Sequence, residues 1–340
     1  MARSAERTLI LLVDAARPEA EAIEAAARLV RAGRLVAFPT ETVYGLGASA
    51  LDAGGVAAVF RAKGRPPRNP LIVHVEGAAA ARRVTANWPE SAGRLAERFW
   101  PGPLTLVLPR GSAVPDAVTG GGDTVAVRAP SHPVARALLA AAQLPIAAPS
   151  ANRSQRLSPT RAEHVARDLF GRVALILDAG PCPGGMESTV IDLTTVPPRI
   201  LRPGPILARD LGEEVGAVEG PPAFAARRGA PLKGPGMLRR HYAPRTRLDC
   251  APTGEAAAHA AEQAARGLRV ALLTIGASPA IGDVRRVQMP SDAVRYAARL
   301  YDVLHALDEE GLDRIVAELP PDEDAWAAVR DRLARASSAR

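Results

Sequence analysis

A twisted mixed sheet flanked by helices, followed by a smaller α/β domain, is the fold this sequence predicts. Three features lead there. Apolar runs of strand length alternate with segments of helical apolar spacing. Several neighbouring runs have no helix between them, which argues for antiparallel pairs within a mixed sheet. The alternation also breaks off near residue 213 and resumes only after residue 245, so that 340 residues divide into two parts, each large enough for its own core.

Taken in order, LILLV (9–13) reads as the first strand. Pro18 opens a helix whose apolar spacing runs through Ile23, Ala27 and Val30 and stops at Gly33. RLVAFP (34–39) reads as a second strand, a polar glycine-bearing turn follows, and Asp52 is the expected N-cap of a helix through Phe60. Further strands are expected at 71–75, 104–109, 124–130, 144–150, 174–180, 188–193 and 199–204, with helices near 89–99, 132–142 and 161–170. Residues 213–245 are dense in proline, glycine and arginine and too long for an ordinary connection. They read as a linker that could fold over a site as a lid. Helix 255–266, strand 268–275, helix 291–310, strand 312–319 and helix 323–335 then predict a small Rossmann-like domain. The expected division is 1–212, 213–245 and 246–340.

Composition narrows the function. Hydrophobic content of 47% and charged content of 23% describe a globular chain, and no apolar run reaches the ~18–20 residues of a membrane span. Asp14 interrupts the first apolar stretch, no small-residue cleavage site follows, and Cys182 and Cys250 suggest no disulfide framework, so the cytoplasm is expected. Net charge of +7 favours anionic partners. Only two of the 43 basic residues are lysine, Lys63 and Lys233, and both sit beside glycines in stretches that read as loops. Aromatic content of 4% disfavours a stacking surface for single-stranded nucleic acid. A P-loop, a G-x-S-x-G elbow and a zinc-ligand spacing are all absent, and no metal-binding residue is nominated.

Five stretches could carry chemistry. PTETVYGLG (39–47) supplies Thr40, Glu41, Thr42 and Tyr44 beside two glycines, either as a ligand loop or as a plain polar turn. FRAKGRPPRNPLIVHV (60–75) crowds Arg61, Lys63, Arg65 and Arg68 before an apolar strand that contains His74. Those cations suit either a polyphosphate or a solvated helix end. APSANRSQRLSPT (148–160) offers Ser150, Asn152, Ser154 and Ser158 as a neutral cradle for phosphate or ribose. ESTVIDL (187–193) with RILRPG (199–204) adds Ser188 and Arg202, and RRHYAP (239–244) ends the linker.

In this order the stretches, together with PGPLTLVL, resemble the YrdC-like threonylcarbamoyl-AMP synthases, in their longer variety with a C-terminal domain. The resemblance covers roughly residues 15–245 and implies a YrdC-like fold. It implies synthesis of threonylcarbamoyl-AMP and pyrophosphate from L-threonine, bicarbonate and ATP. A partner complex would then transfer the threonylcarbamoyl group to adenosine 37 of tRNAs reading ANN codons. The family's K-x-R…S-x-N hallmark falls on Lys63, Arg65, Ser150 and Asn152. By the same resemblance Thr42, His74, Arg128, Ala148 and Ser188 would contact threonine. Arg65, Asn69, Thr124, Ser150, Ser158, Arg202 and Tyr242 would contact ATP, with Mg²⁺ as its counter-ion. Two rivals are a double-stranded RNA-binding or ribosome-associated protein, with weak RNA binding by the basic surface, and a carbamoyl-phosphate-using transferase.

Overall fold

The computed structural model describes residues 7–221, 233–234, 237, 241–277 and 281–338, and the chain divides into two compact units. The first comprises residues up to 154 and 158–237; the second comprises 155–157 and the chain from 238 onward. The first unit therefore extends past residue 212 and keeps Lys233, Gly234 and Met237.

Ten strands build the first unit: β1 (Leu9–Leu12), β2 (Val36–Phe38), β3 (Gly45–Ser49), β4 (Ile72–His74), β5 (Leu104–Pro109), β6 (Thr124–Arg128), β7 (Ile146–Ala147), β8 (Leu175–Asp178), β9 (Thr189–Asp192) and β10 (Arg199–Arg202). They form one mixed sheet in the order β1-β8-β2-β3-β7-β4-β6-β5-β9-β10. Its helices are α1 (Ala20–Arg31), α2 (Ala53–Lys63), α3 (Ala78–Arg82), α4 (Glu90–Phe99), α5 (Asp116–Thr119), α6 (Pro133–Ala142), α7 (Ala162–Leu169) and α8 (Ala208–Val215). The helix α8 occupies the start of the expected linker. No helix among the described residues is long and apolar enough to cross a membrane.

Helix α1 buries Ile23, Ala26, Ala27 and Val30, the stripe its spacing predicts, and packs with α6 against Val36, Phe38 and Ile146. Helices α2, α4 and α7 cover the opposite face through Ala37, Leu46 and Val73. Where α1 and α6 end, their face of the sheet continues as an apolar patch of Ile72, Val107, Ala126, Val190 and Leu201. No helical residue belongs to that cluster; Met237 packs on it instead, and Gly234 approaches Leu201 and Val190. Among the described residues, this half of the face carries no helix, and the candidate site lies along it.

Two expectations need correction here. PTETVYGLG does not lead from strand through turn into helix: β3 pairs antiparallel with β2, Val36 opposite Gly47, and helix α2 begins only at Ala53. Glycine permits this pairing, because a Cβ on Gly47 would come within 2.8 Å of Phe38 and Ile146 side-chain atoms. Nor does Lys63 lie in a loop. It is the last residue of α2, whose N-cap Asp52 accepts from the Gly54 and Gly55 amides as expected, and Gly64 caps the helix at φ 62°.

The second unit contains β11 (Arg247–Ala251), α9 (Ala256–Ala265), β12 (Val270–Ile275), β13 (Arg285–Met289), α10 (Ala293–Leu307), β14 (Arg314–Glu318) and α11 (Ala327–Ser337). Its all-parallel sheet runs β11-β14-β12-β13. The expected small α/β domain is present. Edge strands β11 and β13 escaped the sequence reading, since RRVQM is mostly exposed and shows no apolar alternation.

Candidate active site

Lys63 and the Ser150 loop form one bonded unit. Lys63 Nζ donates to the Ser150 carbonyl at 2.5 Å, to the Asn152 carbonyl, and to Asn152 Oδ1 at 3.3 Å. In return the Lys63 carbonyl accepts from Ser154 N at 2.9 Å. Ser150 Oγ donates to Asn152 Oδ1 at 2.5 Å. Burial, then the neighbouring Arg65, pushes the Lys63 pKa well below the ordinary lysine value, with only the Asp168 carboxylate acting the other way. Lys63 is thus a packed, fully bonded residue rather than a charge held free of the interior. Arg65 is likewise buried, donating to the Asn69 carbonyl at 3.0 Å and the Pro70 carbonyl at 2.8 Å, whereas Arg61 and Arg68 are exposed. The four cations of that stretch do not converge on one point.

Strands β4 and β6 are parallel neighbours with His74 opposite Arg128 in register. Alternation puts Thr124, Ala126 and Arg128 on one face, the face of the apolar patch, with Thr124 and Arg128 about 13 Å apart along the strand. Asn69 lies just before β4, and both its side-chain polar atoms are buried without a hydrogen-bond partner. Ala148 N bonds to the Ile72 carbonyl at 2.9 Å, which holds β7 and the Ser150 loop against the same end of β4. At the other end, His74 Nδ1 is also buried without a hydrogen bond, while Arg128 Nη2 is ion-paired with Glu41 Oε1 at 2.6 Å. Arg128 Nη1 donates to Thr42 Oγ1 at 3.0 Å. Such orphaned atoms are rare in a folded interior and point to a ligand.

A β-bulge aims Arg202. The pairing of β9 and β10 shifts between Ile200 and Arg202, so that Leu201 joins the apolar patch while Arg202 stays opposite Val190 on the same face. Arg202 donates to the Ser188 carbonyl at 3.0 and 2.8 Å and to Ser188 Oγ at 3.1 Å; Ser188 Oγ also bonds Thr105 Oγ1 at 2.7 Å. Gly204 is needed here because a Cβ would stand 2.3 Å from the Thr189 amide. Ser158 donates to the buried Glu187 carboxylate. Tyr242 belongs to the second unit, where its φ is 58° and its ring packs beside His241, Tyr301 and the Arg332 guanidinium. Arg239, Arg240 and most of the expected lid lie outside the described residues.

Burial, reinforced by Arg128, lowers the His74 pKa from 6.5 to about 3, so the ring is neutral at physiological pH. The unfolded chain then binds the proton more readily than the folded one. His74 costs no stability above pH 6.5, and stability falls as the pH drops from there toward 3. This one group should remove about 2 kcal/mol between pH 7 and pH 5. Urea midpoints at the two pH values check it: the drop should shrink in His74→Gln, and an equal drop would rule His74 out.

With this geometry established, comparison with known proteins gives a consistent answer. A family model described as "Telomere recombination", of the Sua5, YciO and YrdC group, matches residues 28–204. A second, described as "Threonylcarbamoyl-AMP synthase, C-terminal domain", matches residues 207–338. The chain is 43% identical to the threonylcarbamoyl-AMP synthase of Pyrococcus abyssi over 94% of both chains. The chain belongs to the threonylcarbamoyl-AMP synthase family. It is also 42% identical to the Bacillus subtilis synthase, covering 94% of this chain and 93% of that one. The solved structure of P. abyssi Sua5 complexed with L-threonine superposes with a TM-score of 0.91 at 41% identity over 97% of each chain.

Within this synthase-family chain, sequence reasoning missed the buried carboxylate of Glu187 and left Glu41 without a role. Both stand inside quoted motifs, but a carboxylate among candidate anion ligands gives no sequence signal of its own. Thr105, the partner of Ser188, was missed for a different reason: it lies in an apolar strand that reads as core.

Proposed function

We infer that this chain is a nucleotidyltransferase that makes threonylcarbamoyl-AMP and pyrophosphate from L-threonine, bicarbonate and ATP. The observation that carries the reading is the set of buried, unbonded polar atoms at both ends of β4, Asn69 at one end and His74 at the other, with the buried Arg128 guanidinium in register beside His74. The spacing suits an amino acid at the carboxyl ends and a nucleotide triphosphate toward Lys63 and Ser150, with the reacting atoms between. Thr42, His74, Arg128, Ala148 and Ser188 contact threonine. Arg65, Asn69, Thr124, Ser150, Ser158 and Arg202 contact ATP.

The threonine amine takes up bicarbonate, releasing water, and an oxygen of the resulting carbamate attacks the α-phosphate as pyrophosphate leaves. No side-chain nucleophile is needed; Lys63 and Arg65 act by orienting the reactants and countering charge on the phosphates. The described residues include no cluster of three or more metal-ligating side chains. Mg²⁺ would enter with ATP as its counter-ion, held by phosphates and water, and would neutralise charge there. The product then serves a cytoplasmic tRNA-modifying complex acting on adenosine 37. An ATP–pyrophosphate assay with threonine and bicarbonate omitted in turn tests the reading: product should require both, and turnover without either would overturn it.

A further inference from the structure

The turn between β2 and β3 brings in a carboxylate that the reaction above does not use. Glu41 Oε1 lies 2.6 Å from Arg128 Nη2, yet neither atom reaches hydrogen-bond geometry. Each side chain is tied down on its other side. Glu41 Oε2 accepts from Ser131 N at 3.1 Å, while Arg128 Nη1 and Nε donate to Thr42 Oγ1 at 3.0 Å and the Gly102 carbonyl at 3.3 Å. The two side chains are only 13% and 4% exposed. A buried cation and a buried anion are thus paired with each other through one atom apiece, each anchored from behind by its remaining bonds. Burying such a pair is costly unless its remaining bonds are met.

An α-amino acid offers the reciprocal pair, a carboxylate and an ammonium on one carbon. We propose that Glu41 is the ammonium-binding, specificity-determining residue of the amino-acid subsite. The substrate carboxylate takes Arg128 Nη2 and the ammonium takes Glu41 Oε1, so a zwitterion satisfies both charges where a simple acid leaves Glu41 buried and unpaired. Sites built this way reject an analogue that lacks the bonded group. The inference rests on the threonine reading above and adds to it a residue and a selectivity.

Calorimetric titration of the full chain with L-threonine and with 3-hydroxybutanoate, which keeps the carboxylate and hydroxyl but lacks the amine, tests it. The unmodified protein should prefer threonine by roughly 100-fold or more. Glu41→Gln should lose roughly 30-fold or more in threonine affinity while binding 3-hydroxybutanoate at least as tightly as before. Equal losses for both ligands would show that Glu41 only positions Arg128, and unchanged threonine affinity would show no contact; either overturns the proposal. If Glu41→Gln fails to fold, judged by ATP binding, the preference of the unmodified protein decides, and a ratio near one overturns the proposal. No threonine binding by the unmodified protein would instead overturn the reading of the site, and this inference with it.

Discussion

Lys63→Ala is expected to lower product formation by on the order of 10³-fold and to destabilise the protein by roughly 2–4 kcal/mol. Both effects come from one atom. Nζ is the shared donor for two backbone carbonyls and Asn152 Oδ1, and the residue is 2% exposed. Alanine leaves those acceptors buried without it and opens a cavity beneath the loop that carries Ser150. Lys63→Met, which fills the space without the donor, separates the terms: it should recover part of the stability and none of the activity. Pyrophosphate release and urea unfolding on the two variants provide the measurements. Near-normal turnover by either variant would remove Lys63 from the mechanism, and unaltered stability of the alanine variant would mean the Nζ bonds do not hold the loop.

Arg128→Lys is expected to raise the threonine KM by roughly 30- to 1,000-fold with little change in the ATP KM, the consequence of losing a buried, hydrogen-bonded guanidinium worth about 2–4 kcal/mol. Lysine keeps the charge but cannot reach Thr42 Oγ1, the Gly102 carbonyl and a substrate carboxylate together, as the planar fork can. Steady-state kinetics varying each substrate in turn give the comparison. Parallel increases in both KM values would assign Arg128 a structural or phosphate-binding role.

The periodic parts of this fold were legible because each repeats a local signal. Helix α1 shows its buried stripe, α2 its Asp52 cap, β5 its full extent and β6 its start at Thr124. The motif residues were legible as chemistry, and folding brings several together across long separations: Lys63 to Asn152, Arg128 to Thr42, Arg202 to Ser188. Features set by tertiary geometry were not. A glycine strand such as β3 carries no propensity signal, so its pairing with β2 can be seen only in the sheet. The bulge that aims Arg202 depends on register with β9, which sequence spacing does not encode. Lys63 read as a loop cation because its burial is contributed by residues almost ninety positions later in the chain.

That burial also changes what amine chemistry can do to the protein. One of its two lysines is enclosed beneath the Ser150 loop, and the other, Lys233, has a side chain 48% exposed beside Asp192. Acylating reagents ignore guanidinium groups, so on a surface whose cations are otherwise arginine they find a single ready lysine. With the α-amino group blocked beforehand, a fluorophore coupled there attaches with defined stoichiometry, a short reach from the apolar patch on which Met237 rests. Slow uptake of a second label would occur only when the Ser150 loop lets go of Lys63, so the rate of that second addition would count the openings of the site.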